Sequence, residues 1–409
     1  MVTGASAGVG RAVALRLARE GAKVALIARD KPALSQLKAE IEGKGGEVLA
    51  IAADVSDAAK VVAAADEIEL TLGPIELWIN NAMATVFSPV EEISPKEFRR
   101  VTEVTYLGSV HGTMAALRHM KPRNRGTILQ IGSALAYRGI PLQAAYCGAK
   151  HALRGFSESL RTELIHDHSD IRVTIVELPA VDTPQFDWAR THTGREPRPM
   201  APVFQPEIVA ENVIRAARDP AREYWLGFST LFSIIGNMFA PGLLDRYLAS
   251  AAYKGQVRRT KASSARDDNL FHPVKGLHKM HGSFTTEARG RLAGFSTART
   301  RLGIFTAATV LLLMIGYGFG SRKRTARGNL IDRKAKKRDG DWTARGLRRV
   351  WLLRKHWQRR RAPVRHKSDR ELRRGGPHRR GRAGAADAPR RRGALQSQEE
   401  RPRQRAAIP

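Results

Sequence analysis

The sequence contains a single cysteine, Cys147, and lacks several features that would place it in other protein classes. One cysteine cannot form an intramolecular disulfide, so a disulfide-stapled fold is excluded. The N-terminus has no basic stretch followed by an apolar run, which argues against a signal peptide. The histidines are scattered without the spacing of metal ligands, so no metal site is expected.

The positive charge of the chain is concentrated at its end. Residues 321–409 carry 31 Lys and Arg against 8 Asp and Glu, whereas residues 1–320 carry 39 against 31. The tail has no hydrophobic periodicity, so we expect it to be disordered and solvated. Only three tryptophans interleave with its arginines, which disfavours nucleic-acid binding. A shifted reading frame of GC-rich DNA would also produce such a tail, and that alternative stays open.

Three segments of different character precede this tail. Residues 228–252 are apolar and predict a helical extension, and residues 253–301 have the polar composition of a linker. Residues 302–320 are 19 consecutive uncharged residues, about the shortest length that spans a bilayer as a helix. The sequence therefore predicts a transmembrane anchor at 302–320, and we expect residues 1–227 to lie in the cytoplasm. A buried helix is the alternative.

Residues 1–227 alternate short apolar runs with amphipathic stretches, the pattern of βαβ units around a parallel sheet. The predicted strands are apolar on both faces, as in a sheet covered on each side: Val24–Ala28, Val48–Ala53, Leu77–Asn80, Thr127–Gly132 and Val173–Leu178. Helices are predicted near residues 9–20, 31–43, 57–72, 95–120, 145–167 and 206–218. The fold class is α/β, a Rossmann-type doubly wound parallel sheet flanked by helices, with a C-terminal helical and disordered extension.

A glycine-rich turn leads into the first predicted helix. Small residues there let the backbone approach a pyrophosphate, and the helix N-terminus offers free N–H groups and a positive dipole end. The turn, which predicts a dinucleotide site, consists of Thr3, Gly4, Ala5, Ser6, Ala7, Gly8, Val9 and Gly10. Only two residues precede it, so either the natural start lies upstream or the central first strand is cut short.

Three residues have the chemistry of proton transfer to a carbonyl. Ser133 follows a predicted strand, and Tyr146 and Lys150 lie four residues apart on one helix face. An ammonium about 4 Å from the phenol is worth ~4 kcal/mol at an effective dielectric of 20, enough to lower its pKa by about 2–3 units. The tyrosine would then exchange protons near neutrality, while Ser133 donates a hydrogen bond to the substrate oxygen.

Together these motifs resemble the short-chain dehydrogenase/reductase family. The resemblance rests on the G-x-x-x-G-x-G spacing, on Asn80-Asn81-Ala82, and on the Ser…Tyr-x-x-x-Lys arrangement. It implies hydride transfer between a nicotinamide cofactor and a carbonyl or alcohol, with Ser133, Tyr146 and Lys150 as the catalytic residues. The cofactor contacts that it implies are Thr3, Gly4, Ser6, Ala7, Gly8, Val9, Gly10, Asp54, Val55, Asn81, Ala82, Tyr146, Lys150, Pro179, Val181 and Thr183.

The end of the second predicted strand bears on the choice of cofactor. An acid there would hold the 2′-hydroxyl of NAD, but Ala28 stands at that position and Arg29 follows it. A guanidinium suits a 2′-phosphate, so NADP(H) is preferred. Asp30 comes next, and NAD(H) is not excluded.

Two positions depart from the family pattern and leave room for other functions. Met83 replaces a glycine, and Thr105 replaces an asparagine that supports a helix kink beside a relay water. We expect an altered proton relay, and the rival hypothesis is a catalytically weak NADP-binding scaffold or regulatory protein at a membrane. The loop that starts at Phe186 and Trp188 is either an apolar lid or part of the core. An apolar lid at this loop, together with a membrane anchor, favours a lipophilic substrate. The sequence does not decide whether the protein forms a homo-oligomer.

Overall fold

The computed structural model describes residues 1–263, 266–298, 300, 302–303, 305–306, 309–315, 317 and 333–334. Its strands are β1 (Val2–Thr3), β2 (Val24–Ala28), β3 (Val48–Ala52), β4 (Leu77–Asn80), β5 (Val86–Phe87), β6 (Thr127–Ser133), β7 (Arg172–Leu178), β8 (Ala180–Val181), β9 (Arg190–Thr191), β10 (Arg195–Pro197), β11 (Val203–Phe204), β12 (Glu223–Leu226), β13 (Val257–Lys261) and β14 (Gly294–Ser296). Eight of them form one sheet in the order β3-β2-β1-β4-β6-β7-β12-β14. Neighbours in it are parallel except β14, which pairs antiparallel with β12.

Helices cover the sheet, as the alternating pattern predicts. They are α1 (Gly8–Arg19), α2 (Lys31–Glu42), α3 (Ala58–Leu72), α4 (Pro95–Thr102), α5 (Gly108–Met120), α6 (Ala144–His166), α7 (Gln185–Trp188), α8 (Pro206–Arg218), α9 (Phe228–Phe239) and α10 (Pro241–Gly255). One apolar cluster joins α1, α2 and α8 to the sheet, and a second joins α3, α5 and α6 to it. The predicted Rossmann-like parallel sheet with flanking helices is therefore confirmed.

The first strand is short but central. Val2 pairs with Leu26 on one side and with Ile79 on the other. The α-amino group of Met1 donates a 2.7 Å hydrogen bond to the carbonyl of Leu77, and burial lowers the pKa of that amine to about 5.

The strands β2, β1, β4, β6 and β7 are parallel neighbours in the sheet. Their carboxyl ends therefore lie side by side at one edge of it, where open α/β sheets bind ligands.

The segment predicted as a linker at 253–301 is folded against the domain instead. Its strand β13 pairs with β10, and its strand β14 extends the main sheet. Its composition is polar on average, but it contains a few apolar side chains that are buried: Leu270, Val274 and Phe284. Burying them stabilises an ordered path for a chain that looks like a linker by composition.

The transmembrane helix predicted at 302–320 is not supported. Among the residues that the structure describes, no helix is both long enough and apolar enough to cross a bilayer. Residues 304, 307, 308, 316 and 318–320 lie outside the described residues, and so does the predicted disordered tail at 321–409 apart from 333–334.

Candidate active site

The glycine-rich turn joins β1 to α1 in a conformation that requires glycine. Gly4 and Gly8 have φ angles of 63° and 54°, in the left-handed region that side chains rarely adopt. A Cβ at Gly10 would stand 2.3 Å from the carbonyl oxygen of Gly4 and 2.5 Å from the amide nitrogen of Asn81. The N-terminus of α1 therefore approaches the sheet edge closely, as a pyrophosphate cradle requires.

Thr3 and Asn81 hold this turn against the end of β4. The backbone N–H of Asn81 donates to the Thr3 hydroxyl at 2.9 Å, and its side-chain amide donates to the Thr3 carbonyl at 2.9 Å. Asn80 points elsewhere: its amide oxygen accepts from Trp78 at 2.8 Å inside the core. Asn81 thus holds the glycine-rich turn, whereas Asn80 takes part in the packing of the core.

Ser133, Tyr146 and Lys150 come together beside the turn. Ser133 ends β6, and the ammonium of Lys150 donates a 2.6 Å hydrogen bond to the carbonyl of Ile131 on the same strand. The same ammonium lies 5.6 Å from the ring centroid of Tyr146. The Ser133 hydroxyl is close enough to the phenol to lower its pKa by hydrogen bonding. The spacing of these residues along the chain thus corresponds to a real cluster.

The electrostatics of this cluster differ from the expectation. Burial raises the pKa of Tyr146 above its ordinary value, and the hydrogen bond from Ser133 offsets only part of that rise. Burial also lowers the pKa of Lys150 to about 8. The predicted lowering of the tyrosine pKa by the lysine is therefore not seen, because both groups are desolvated together. In this state the Tyr146 phenol is protonated near neutral pH, as a proton donor must be.

Thr105 lies at a distortion of the helix between α4 and α5. Residues Glu103–Leu107 form a π-helical turn there. The Thr105 hydroxyl donates to the carbonyl of Ala84 at 2.9 Å and accepts from the N–H of Ala84 at 3.0 Å. The kink that the resemblance attributes to asparagine is thus present with threonine, whose side chain is tied to the loop after β4.

A cavity of about 600 Å³ joins the turn to the cluster of Ser133, Tyr146 and Lys150. All the predicted site residues line it except Thr3 and Gly10, which lie behind its wall. Its far end is lined by apolar side chains, several of which the sequence did not indicate: Phe87, Ile140, Phe186, Trp188, Phe232, Leu244 and Leu248. These residues come from five separate parts of the chain, so no local pattern could identify them.

Arg29 lies at the other end of this cavity, and its partners were not predictable. Its guanidinium donates to three main-chain carbonyls, those of Asn269, Leu270 and Phe271. Asp54, expected at the adenine, lines the same cavity and pairs with Arg100. The segment 266–282, which we call the strap, covers this end of the cavity with Asn269, Pro273, Val274 and His278. Some 240 residues separate the strap from Arg29, so a reading of local motifs misses the contact.

Comparison with known proteins identifies the relatives of this chain. Residues 1–193 match the family described as short chain dehydrogenase. The uncharacterized oxidoreductase YxnA of Bacillus subtilis is 31% identical over 76% of this chain and 87% of its own length. A 3-dehydrosphinganine reductase of Danio rerio is 34% identical over 53% of this chain and 67% of its own. The crystal structure of a short-chain dehydrogenase from Streptomyces avermitilis superposes with a TM-score of 0.51 at 26% identity, covering 62% of this chain and 97% of that one.

Proposed function

As this chain belongs to the short-chain dehydrogenase family, we propose that it is an NADP(H)-dependent oxidoreductase that interconverts a carbonyl and an alcohol, with Tyr146 as general acid and base. The observation that carries the proposal is the meeting of Ser133, Tyr146 and Lys150 with the glycine-rich turn in one cavity. The cavity thus brings together an acid–base group, Tyr146, a cation beside it, Lys150, and a turn that can hold a phosphate. This combination suits hydride transfer better than hydrolysis.

The residues at the sheet edge fit a dinucleotide. Gly4, Gly8 and Gly10 leave a cradle that a Cβ would fill, and the N-terminus of α1 favours the negative charge of a pyrophosphate. Arg29 follows β2 and supports NADP(H), because a guanidinium binds a 2′-phosphate through two parallel hydrogen bonds. Bound there, the cofactor would supply the hydride that reduces the carbonyl carbon.

The protein side of the reaction is proton delivery to the substrate oxygen. Ser133 and Tyr146 would both donate hydrogen bonds to the carbonyl oxygen, which positions it and stabilises the charge that grows on it. As hydride adds to the carbon, the phenolic proton moves to that oxygen and leaves a phenolate. The ammonium of Lys150, held against Ile131, stabilises this phenolate electrostatically. Oxidation of an alcohol reverses each transfer.

The substrate is proposed to be lipophilic. The far end of the cavity presents aromatic and aliphatic side chains, among them Phe186, Trp188 and Phe232. A relative named as a 3-dehydrosphinganine reductase supports a ketone as the reacting group. Apolar walls with a few converging polar groups suit a substrate whose carbonyl is its main polar feature.

Turnover and binding measured on the same proteins test the proposal. A panel of lipophilic ketones is followed by NADPH absorbance, and Tyr146→Phe should reduce kcat by about a hundredfold or more while NADPH binding is kept. Tyr253→Phe, an exposed tyrosine outside the cavity, is the matched control. Unchanged turnover in Tyr146→Phe would support the rival hypothesis of a cofactor-binding scaffold.

Arg29→Ala tests the cofactor. The variant should lower the preference for NADPH over NADH by about tenfold or more, since only NADPH carries the 2′-phosphate. Isothermal titration with both dinucleotides measures this difference. A clear preference of the parent protein for NADH would contradict the assignment of NADP(H).

A further inference from the structure

We propose that the strap, residues 266–282, occupies the adenosine-phosphate end of the dinucleotide groove and must move aside for NADP(H) to bind. The inference rests on the proposed function and adds a regulatory element to the same site. Three independent sets of contacts support it: those of Arg29, those of the glycine-rich turn, and those that fasten the ends of the strap to the domain.

The strap engages the guanidinium that a 2′-phosphate would need. Arg29 donates to the carbonyls of Leu270 and Phe271 at 3.3 and 3.2 Å and also to the carbonyl of Asn269. Arg100, which pairs with Asp54, donates in addition to the Leu270 carbonyl at 3.1 Å. A phosphate can reach Arg29 only if these carbonyls withdraw, because a carbonyl oxygen and an anionic oxygen compete for the same N–H donors.

The strap also engages the turn that would receive the pyrophosphate. The backbone N–H of Gly8 donates to the carbonyl of Lys279 at 3.0 Å. The imidazole of His278 is hydrogen bonded to the Ser6 hydroxyl at 3.1 Å and lies 3.5 Å from the carboxylate of Asp30. Backbone N–H groups at this helix N-terminus are the donors that a phosphate uses. The Lys279 carbonyl of the strap therefore occupies the acceptor position that a phosphate oxygen would take at the N–H of Gly8.

Both ends of the strap are fastened at points outside the cofactor groove. On the N-terminal side, the carboxylate of Asp268 pairs with Arg190 at 2.9 Å. Just beyond its C-terminal side, the hydroxyl of Thr285 donates to Asp182 at 2.9 Å, and the N–H of Phe284 donates to the same carboxylate at 3.0 Å. These attachments hold the strap over the groove without using a group that would contact the dinucleotide.

The apparent affinity for cofactor equals the affinity of the open form multiplied by the fraction of molecules in which the strap is open. The effect should be similar for NADPH and NADH, because the strap also engages the N–H of Gly8 at the pyrophosphate position that both dinucleotides share. Weakening an attachment should therefore tighten NADPH binding, whereas a strap that clasped the bound cofactor would give the opposite result.

The first test uses Asp268→Ala in the full-length chain, with the dissociation constants for NADPH and NADH measured by titration. We expect NADPH to bind about threefold to tenfold more tightly, with a comparable change for NADH. Asp167→Ala, which removes the exposed ion pair with Lys121, is the matched control and should leave both constants unchanged. Unchanged or weaker binding of NADPH by Asp268→Ala would overturn the proposal.

The second test uses the unmodified protein. Hydrogen–deuterium exchange of the backbone amides of residues 266–282 should become faster when NADPH is added, because the dinucleotide displaces them. Slower exchange on addition of NADPH would indicate that the strap closes over the bound cofactor, and it would overturn the proposal. Failure of the parent and the variants alike to bind NADPH or NADH would instead overturn the proposed function on which this inference rests.

Discussion

The ammonium of Lys150 is hydrogen bonded at 2.6 Å to the carbonyl of Ile131, two residues before Ser133 on the same strand. This bond fixes the lysine beside Tyr146. Burial then lowers the pKa of Lys150 to about 8. The charge that would stabilise a tyrosine phenolate is therefore present below that pH and is lost above it.

We expect carbonyl reduction to slow as the pH rises through about 8, because a neutral Lys150 no longer stabilises the Tyr146 phenolate. The measurement is kcat against pH for NADPH oxidation with a ketone substrate. Lys121→Ala, at an exposed lysine, should give the same profile as the parent. A rate that stays constant up to about pH 10, the range of an ordinary lysine, would contradict the prediction.

Replacing Glu177 should change how stability depends on pH. Its side chain is 0% exposed, and burial followed by repulsion from Glu223 raises its pKa from 4.5 to about 8. The folded state then holds a proton that the unfolded chain releases, so the free energy of unfolding falls as the pH rises from about 4.5 to about 8.

In Glu177→Gln this pH dependence should be smaller, because glutamine does not titrate. We expect the variant to gain at least about 2 kcal/mol relative to the parent between pH 5 and pH 8. Urea unfolding at both pH values measures the gain. Glu163→Gln, at an exposed glutamate, should follow the parent. Equal slopes for Glu177→Gln and the parent would contradict a buried, protonated Glu177.

Gly10→Ala should damage the turn and its phosphate cradle. The added methyl group would stand 2.3 Å from the Gly4 carbonyl oxygen, so α1 must move away from the sheet. We expect a loss of about 1–3 kcal/mol in stability, together with weaker NADPH binding. In Gly155→Ala, a helical site with nothing within 4 Å of the new Cβ, stability should be kept or slightly raised. Thermal unfolding and NADPH titration of the two variants check the contrast.

Thr105→Val tests the pairing of the kinked helix with the loop after β4. Valine has the shape of threonine but leaves the N–H and the carbonyl of Ala84 without the partner they have at 3.0 and 2.9 Å. We expect a loss of about 1–3 kcal/mol in stability, because buried polar groups without partners are costly. Thr105→Ser keeps the hydroxyl and should lose less. If valine and serine have equal effects on thermal unfolding, the hydrogen bonds are not what stabilises this turn.

Most elements of the Rossmann part could be predicted because they have a strong local signal. Strands such as Val24–Ala28 are short and apolar on both faces, and the helices between them are amphipathic. The cluster of Ser133, Tyr146 and Lys150 was predictable for a similar reason. Four residues of helix place Tyr146 and Lys150 one turn apart, and the end of a parallel strand brings Ser133 to the same sheet edge.

Other features had no local signal. The strands β1 and β14 have only two and three residues, and each is recognisable only beside its neighbour in the sheet. The pKa values of Tyr146 and Lys150 depend on how deeply both are buried, which spacing along the chain does not specify. For that reason the expected lowering of the tyrosine pKa was wrong for this structure.

The amino-acid order thus specifies the sheet, its helices and the candidate catalytic groups, since these depend on contacts between residues close in sequence or on repeated patterns. The path of residues 266–282 across the groove depends instead on tertiary contacts. Arg29 could have faced solvent or a phosphate, and it meets the carbonyls of Asn269, Leu270 and Phe271 only because buried side chains such as Leu270 and Val274 hold the strap in place. Those contacts join residues some 240 positions apart, and the free energy of burying the strap selects them.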